Sequence, residues 1–226
     1  MSLEEFAQRV GLDLLNPSLL QRALTHRSYI NEHPETIEDN ERLEFLGDAA
    51  LDFIAAAWLY NRYPEMDEGG LTRLRSSLVR TEQLADFARE LDLGQELRLG
   101  RGEQASGGRD REALLCDAFE AVIGAMYLDV GLEEVFRFLE PRLLKAANTA
   151  LEDESLLDPR SQLQIWAQAE IGVTPQYETV DSFGPDHQRE FLVEVKVGQE
   201  LRGQGQGRSK QEAAQEAAKN LLSKIR

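Results

Sequence analysis

The sequence has little cysteine, little proline, an excess of acid over base, and no long hydrophobic run. Its 226 residues include one cysteine, Cys116, which cannot close an intramolecular disulfide, as is typical of a reducing cytoplasm. No stretch reaches the ~18 consecutive apolar residues of a membrane span. The N-terminal "MSLEEFAQRV" carries acids where a secretory signal needs basic residues. We therefore expect a cytoplasmic protein with no membrane partner.

The shortage of positive charge argues against a nucleic-acid partner. There are 25 Lys and Arg against 41 Asp and Glu, a net charge of -16, whereas phosphate recognition usually shows as a basic patch. Apolar residues at 42% and charged residues at 29% are ordinary for a folded protein. The length suits two modest domains.

The two parts of the chain have different hydrophobic periods, which predicts an α+β protein with two domains. Residues 1–150 show helical periodicity and no convincing strand alternation. Helices are predicted over 40–63, 71–91 (one or two helices), 111–131 and 131–151, the last with a kink or break at Pro141. Residues 151–159 are charged and weakly apolar, as in a linker.

Residues 160–226 show an α-β-β-β-α pattern. A helix over 161–170 precedes strands near 175–182, 189–197 and 201–207, and a last helix runs from Ser209 to about Lys224. The predicted fold is therefore an all-α domain followed by a small α-β-β-β-α domain.

Acidic residues form stripes on two predicted helices that are otherwise apolar. At 100° per residue the acids of the 40–63 helix fall within an arc of about 80°, and a second pair lies one turn apart on the 111–131 helix. The stripes consist of Glu41, Glu44, Asp48 and Asp52, and of Asp117 and Glu120.

Three explanations compete for these acids. Two carboxylates ~5 Å apart repel by about 3 kcal/mol at an effective dielectric constant of ~20. A solvated face suits Asp52. Pairing with arginine is the second explanation, but no arginine interrupts either stripe, and the nearest ones, Arg42, Arg109 and Arg111, lie at helix ends or on other faces. The third is a divalent cation.

The donor chemistry favours Mg²⁺ or Mn²⁺ and disfavours zinc, because all the donors are oxygens and no histidine or cysteine cluster accompanies them. Such an ion can acidify a bound water for attack on phosphorus. The residues alone thus indicate hydrolysis of a phosphate ester.

Several segments also resemble the ribonuclease III family: "RALTHRSYINE", "NERLEFLGDAAL", "EGGLTRLRSSLV" and "GEQASGGRDREALLCDAFEAVIGAMYLD", in the family's order. The resemblance implies a homodimeric endoribonuclease that cuts both strands of double-stranded RNA by metal-activated water. It implies Mg²⁺, with Mn²⁺ as a substitute, and no organic cofactor. It also implies 5'-phosphate ends, short 3' overhangs, and roles in rRNA precursor and mRNA processing.

The resemblance assigns roles by position. It implies catalysis by Asp48 and Glu120, metal binding by Glu44, Asp117 and Glu120, accessory roles for the acids Glu41 and Glu68, and a dimer contact at Phe45. On sequence alone, Phe45 is as well explained as an ordinary core residue.

Residues 160–226 resemble a double-stranded RNA-binding domain, which reads A-form shape through phosphates and 2'-hydroxyls. The implied RNA contacts are Gln164, Pro185, His187, Ser209 and Lys210. Where the family usually has adjacent lysines, this chain has Lys210 followed by Gln211.

This domain is close to neutral. From Asp158 onward there are nine Lys and Arg against ten Asp and Glu, a net charge of -1, which leaves -15 for the preceding part. We expect weak binding and a shallow salt dependence for this domain alone, with the two domains of a dimer acting together.

Two rival functions remain. One is a duplex-RNA-binding scaffold that keeps the nuclease fold without catalysis, and the four core carboxylates argue against it. The other is an acidic metal-binding regulator without an RNA partner, against which the segments "GPDH" and "GRSK" argue.

Overall fold

The computed structural model describes residues 3–11, 16–36, 38–151, 158–185 and 189–225. The predicted segments before residue 152 are helical. The helices are α1 (Leu3–Val10), α2 (Pro17–Ala23), α3 (Arg27–Ile30), α4 (Glu41–Arg62), α5 (Glu68–Leu78), α6 (Thr81–Glu90), α7 (Leu93–Glu96), α8 (Arg101–Ala105), α9 (Glu112–Val130) and α10 (Leu132–Leu151), with a 3₁₀ turn at Gly108–Asp110 between α8 and α9. Across the described ranges no helix is long and apolar enough to cross a membrane.

Contacts divide the chain into two compact units. The first unit comprises Met1–Leu59 and Leu74–Ala150, and the second comprises Tyr60–Arg73 and Leu151–Arg226. The segment Tyr60–Arg73 therefore groups with the C-terminal part of the chain, although it precedes it by many residues. The predicted linker falls mostly outside the described residues, and the domain boundaries 1–150, 151–159 and 160–226 stay a prediction.

Helix α9 lies at the centre of the first unit. Eleven of its nineteen residues are buried, among them Phe119, Val122 and Ile123, which are fully buried. Helix α4 packs against it at closest range where each helix carries a glycine. A Cβ atom at Gly124 would lie 2.2 Å from the carbonyl oxygen of Leu43 on α4, so only glycine allows this approach. The main chains of the two acid-bearing helices are therefore in direct contact at these glycines.

Of the kink or break predicted at Pro141, the break is wrong, because α10 continues through this proline from Leu132 to Leu151. Proline removes one helical hydrogen bond. Next to it, the Arg142 guanidinium lies 4.0 Å from the ring centre of Phe138 and donates a 2.7 Å hydrogen bond to the Phe138 carbonyl oxygen. Leu139 and Leu143, on either side of the proline, are buried and hold the helix against the unit.

The second unit has the predicted α-β-β-β-α order. Helix α11 (Pro159–Glu170) precedes the strands β1 (Gln176–Phe183), β2 (Glu190–Val197) and β3 (Leu201–Gly207), and α12 (Lys210–Ile225) follows. The sheet is antiparallel with the order β1-β2-β3. The predicted alternation in β2 is confirmed at Val193, Val195 and Val197, which are buried against α11 and α12.

Strand β3 touches α12 without intervening side chains. Its glycines alternate, and Gly203, Gly205 and Gly207 all face the helix. A Cβ atom at Gly205 would stand 2.1 Å from the main-chain nitrogen of Ala217. The buried alanines of α12, including Ala213 and Ala217, complete this close contact.

Candidate functional site

The two acidic stripes meet where α4 crosses α9. The glycine contacts at Gly47 and Gly124 bring the main chains together beside Glu44, Asp48 and Glu120. Helical spacing then directs the carboxylates of one helix toward those of the other. The first unit thus brings four of the predicted site residues into one cluster, the carboxylate cluster of Glu44, Asp48, Asp117 and Glu120.

The cluster differs in burial from one member to the next. Glu44, Asp117 and Glu120 are half-buried, whereas Asp48 is exposed. Within the described part of the chain, no ion pair joins any of the four to a lysine, arginine or histidine. Among the described residues, these three half-buried carboxylates therefore have no ion-paired lysine, arginine or histidine.

The pKa values of the three half-buried acids are all raised. Burial raises the pKa of Glu44, and the charges of Asp117, Glu41 and Asp48 raise it further. Burial likewise raises the pKa of Asp117. Burial, together with the neighbouring charges of Asp48, Glu44 and Asp117, raises the pKa of Glu120 to about 7. For Glu44 and Glu120, repulsion by neighbouring carboxylates adds to the effect of burial, whereas for Asp117 burial alone raises the pKa.

Cys116 is a further neighbour of the cluster, and the sequence assigned it no role in the site. Its Sγ lies 3.5 Å from Oε1 of Glu120, and the thiol hydrogen bond lowers the Glu120 pKa against the effect of burial. The Sγ atom and one oxygen each of Asp117 and Glu120 lie within 4.8 Å of one another. Burial raises the pKa of Cys116, so its sulfur stays a protonated donor. The i, i+4 spacing of Cys116 and Glu120 was the available signal.

The outer acids of the α4 stripe pair with arginines, contrary to expectation. Glu41 Oε1 accepts a 3.1 Å hydrogen bond from Arg27 Nη1, and Asp52 Oδ1 lies 4.0 Å from Arg75 Nε. The partners come from α3 and α5, not from the sequence neighbourhood. Arginine pairing thus explains the ends of the stripe, and it leaves the carboxylate cluster unexplained.

His26 was not predicted as part of the site. It is the N-cap residue of α3, where its Nδ1 accepts the Ser28 N–H at 3.2 Å. When the ring is protonated instead, its positive charge lowers the pKa of Asp117 and so opposes the effect of burial. The preceding residue, Thr25, is fully buried, and its carbonyl oxygen accepts the N–H of Asn40 just before α4. His26 lies in the segment "RALTHRSYINE", which resembles the family, but no spacing in the sequence indicates that this residue is near Asp117.

Two further predicted residues lie outside the cluster. Phe45 is 79% exposed on α4, so it is not a core residue of this chain. The exposed Phe53 lies two turns along the same helix. Glu68 begins α5 in the second unit, is exposed, and accepts a hydrogen bond from Thr72.

The predicted RNA contacts of the second unit have different surroundings. Pro185 and Lys210 are exposed, and the Lys210 ammonium lies 6.0 Å from the Phe191 ring centre. Ser209 caps α12, because its Oγ accepts the N–H of Glu212 at 3.1 Å. His187 lies outside the described residues.

Gln164 is buried, at 2% exposure, and its Oε1 accepts the N–H of Glu65 at 3.3 Å. Beside it, the Glu65 carboxylate pairs with Arg160. Gln164 is therefore covered by the segment Tyr60–Arg73 and does not face solvent.

Comparisons with known proteins agree with both halves. The family model described as Ribonuclease-III-like matches residues 16–147, and the one described as Double-stranded RNA binding motif matches residues 159–225. "Ribonuclease 3" of Roseiflexus sp. (strain RS-1) is 48% identical over 228 residues, covering 99% of this chain and 96% of that protein. "Ribonuclease 3" of Oceanobacillus iheyensis is 42% identical over 226 residues, covering 100% of this chain and 99% of that protein.

A solved structure shares the fold of the first part. It is the nuclease domain of ribonuclease III from Campylobacter jejuni, in which a region involved in dimer formation shows structural flexibility. It superposes with a TM-score of 0.59 at 34% sequence identity and covers 64% of this chain and 98% of that one.

Proposed function

We infer that this chain, which belongs to the ribonuclease III family, is an endoribonuclease that cleaves double-stranded RNA. One observation carries the assignment of chemistry to residues: α4 and α9 bring four carboxylates together, and among the described residues none of the four forms an ion pair. In a binding scaffold the repulsion between these carboxylates would serve no purpose. In an enzyme that needs a divalent metal, the bound cation compensates the negative charge of the carboxylates.

The donor set fits Mg²⁺, with Mn²⁺ as a substitute. Glu44, Asp117 and Glu120 would hold the ion, since all offer oxygen and all have a raised pKa that a nearby cation would relieve. The protonated thiol of Cys116 suits a softer metal and does not count as a ligand here. When bound, the ion supplies an acidified water and neutralises charge on the phosphate.

The exposed member of the cluster has a different role. Asp48 reaches solvent, so its carboxylate can orient a water at the mouth of the site. Glu120 lies in the most buried part of α9, where its carboxylate accepts a hydrogen bond from the Cys116 thiol. We assign catalysis to Asp48 and Glu120 on this basis. Glu41 and Glu68 are accessory acids on the surface in this proposal.

The enzyme acts as a homodimer in this proposal. Phe45 is 79% exposed and Phe53 is 59% exposed on one helix, and Leu128 is 53% exposed on α9. Large apolar side chains at this exposure suit a protein interface. One site cuts one strand, so a two-fold dimer supplies the second cut and matches the pseudo-symmetry of the duplex. The products then carry 5'-phosphates and short 3' overhangs.

The second unit supplies duplex recognition through the double-stranded RNA binding motif. In our proposal Pro185, His187, Ser209 and Lys210 contact RNA, and Gln164 joins them only if the segment covering it moves away. Processing of rRNA precursors and of mRNA are the cellular roles that the family suggests for such an activity.

The deciding experiment compares the parent chain with Glu120→Gln on a long duplex RNA. The parent should cut the duplex only when Mg²⁺ or Mn²⁺ is present. The variant should bind the duplex with unchanged affinity and cut it at least 100-fold more slowly, as expected for loss of an essential catalytic group at about 3 kcal/mol. Asp52→Asn is the matched control, because Asp52 lies on the α4 stripe outside the carboxylate cluster and pairs with Arg75.

The same experiment separates the rivals. Binding without cleavage by the parent, at every metal concentration, would identify a scaffold. Cleavage that survives chelation of divalent ions would remove the metal from the proposal.

A further inference from the structure

Cys116 has no role in the proposed chemistry, although its sulfur lies beside the carboxylate cluster. Its side chain is buried, at 6% exposure, on α9 one helical turn before Glu120. Its Sγ lies 3.5 Å from Oε1 of Glu120, which is within hydrogen-bond distance for sulfur. The i, i+4 spacing places the two side chains on the same face of the helix. The thiol is therefore a direct neighbour of an acid to which we assign both metal binding and catalysis.

The sulfur of Cys116 has hydrogen-bonding partners on two helices. The hydroxyl of Thr81, the first residue of α6, hydrogen-bonds to the sulfur, and the sulfur in turn contacts Glu120. Ionisation of the thiol would add a further negative charge next to Glu120 and Asp117, so the thiol keeps its proton. A protonated thiol beside a carboxylate is the hydrogen-bond donor. The hydrogen bond therefore runs from Cys116 to Glu120.

The Glu120 carboxylate depends on this bond for its orientation. Within the described part of the chain, no other hydrogen-bond donor contacts this carboxylate. The negative charges of Asp48, Glu44 and Asp117 all act on it, and rotation of the side chain away from the cluster would lower the repulsion. The bond to Oε1 opposes that rotation. It also leaves the second oxygen, Oε2, without a donor from the protein.

Hydrogen bonds to the ligands of a metal commonly decide how well the metal binds. A group that holds a ligating carboxylate in place raises the metal affinity, and its removal typically weakens binding about 10- to 100-fold. A thiol is a weak donor, so we expect an effect at the lower end of this range for Cys116.

We propose that Cys116 is a positioning residue, whose thiol hydrogen bond holds the Glu120 carboxylate in the orientation that binds the divalent ion. The inference rests on the proposed function, which assigns Glu120 to the metal. The competing explanation is that Cys116 only fills space in the buried part of α9, as a small apolar side chain would. The two explanations predict different results for alanine and serine at this position.

The test measures binding of Mn²⁺ to the full chain without RNA, followed by the electron paramagnetic resonance signal of the free ion. Cys116→Ala removes the donor and should weaken Mn²⁺ binding about tenfold. Cys116→Ser replaces the thiol by a hydroxyl donor and should bring the dissociation constant back to within about threefold of the parent value. A packing role predicts the opposite order, because a hydroxyl costs more to bury than a methyl group.

The matched control is Val122→Ala, which removes apolar volume from a fully buried position of the same helix. At 100° per residue, Val122 lies on the side of α9 opposite to Glu120. This variant should lower the temperature of unfolding, because it leaves a cavity, and it should leave the Mn²⁺ dissociation constant unchanged. Thermal unfolding of every variant shows that binding is compared between folded proteins.

A double-mutant cycle connects the effect to Glu120. In a Glu120→Gln background, Cys116→Ala should have no further effect on Mn²⁺ binding, because the carboxylate that the thiol positions is absent. An equal effect of Cys116→Ala in both backgrounds would show that the cysteine acts elsewhere, and it would overturn the proposal.

Duplex cleavage gives a second readout. The Mg²⁺ concentration for half-maximal cleavage should rise about tenfold in Cys116→Ala, in parallel with the loss of Mn²⁺ affinity. Unchanged Mn²⁺ binding by Cys116→Ala, or no recovery in Cys116→Ser, overturns this inference while metal-dependent cleavage by the parent stands. A parent that binds no Mn²⁺, or whose binding is unaffected by Glu120→Gln, overturns the proposed metal site together with the inference.

Discussion

Gly47 lies so close to the main chain of Glu120 that a Cβ atom at position 47 would stand 1.7 Å from the Glu120 carbonyl oxygen. The contact fixes the distance between the helix that carries Glu44 and Asp48 and the helix that carries Asp117 and Glu120. The spacing of the carboxylates is thus set by main-chain contact and not by adjustable side chains.

Gly47→Ala should therefore separate α4 from α9. Overpacking of this kind costs about 3 kcal/mol or more, and cleavage activity should fall below detection even where the chain still folds. Urea unfolding and a duplex cleavage assay measure the two effects. Gly102→Ala is the control, because no atom lies within 4 Å of a Cβ atom at that helical position. Equal stability of the two variants would contradict the role given to Gly47.

The raised pKa of Glu120 predicts how stability depends on pH in the absence of metal. The ordinary pKa is 4.5 and the folded value is about 7, so the folded state binds the proton more tightly than the unfolded state. Stability should fall as the pH rises from about 4.5 through 7, and the full penalty should be present above 7. For a half-buried group we expect about 2 kcal/mol. Glu120→Gln should flatten this dependence, as followed by urea unfolding at pH 5 and pH 8.

An unchanged slope in that variant would mean that other acids dominate the titration. Glu112→Gln is a suitable control because this exposed acid on the same helix pairs with Arg89 outside the cluster.

Metal addition should stabilise the protein before any RNA is present. At a Mg²⁺ concentration of 100 times its dissociation constant, binding contributes about 2.7 kcal/mol and raises Tm by about 5 °C. Glu44→Gln and Asp117→Asn should lose this rise while melting higher than the parent without metal, because each removes a repulsive charge. Asp52→Asn should keep the full rise. Differential scanning calorimetry with chelator and with Mg²⁺ measures both effects.

Phe45→Ala should weaken self-association without weakening the fold. The side chain is 79% exposed in one chain, so its removal costs the single chain almost nothing, whereas an aromatic anchor at an interface is worth about 2 kcal/mol or more. Sedimentation equilibrium should show a dimer dissociation constant raised at least tenfold. Leu144→Ala, a partly exposed apolar position on α10, should leave it unchanged. A monomeric parent chain would remove homodimerisation from the proposal.

The sequence was informative where the decisive interactions are local. The period of apolar residues predicted a helix over 40–63, and α4 runs from Glu41 to Arg62. Alternation predicted β2, and acids in an apolar context singled out Glu44 and Glu120. These signals depend on neighbours within one or two turns, which a sequence displays directly.

The sequence was silent where the partner is distant. Arg75 pairs with Asp52 from another helix, and Glu65 covers Gln164 from 99 residues away. At Pro141 the general rule for proline was overridden, because buried leucines on both sides hold α10 together. Tertiary contacts decided each of these cases.

The glycines of β3 have a last consequence. Because Gly203, Gly205 and Gly207 put strand and helix in direct contact, the distance between β3 and α12 is fixed. A larger side chain at any of these three positions would push the strand and the helix apart. We expect substitutions to be tolerated on the outer side of the strand, where Arg202 and Gln204 are exposed. Any adaptation of this unit to a different duplex has to arise in the loops and on the outer surfaces, because the glycine contacts keep the distance between β3 and α12 constant.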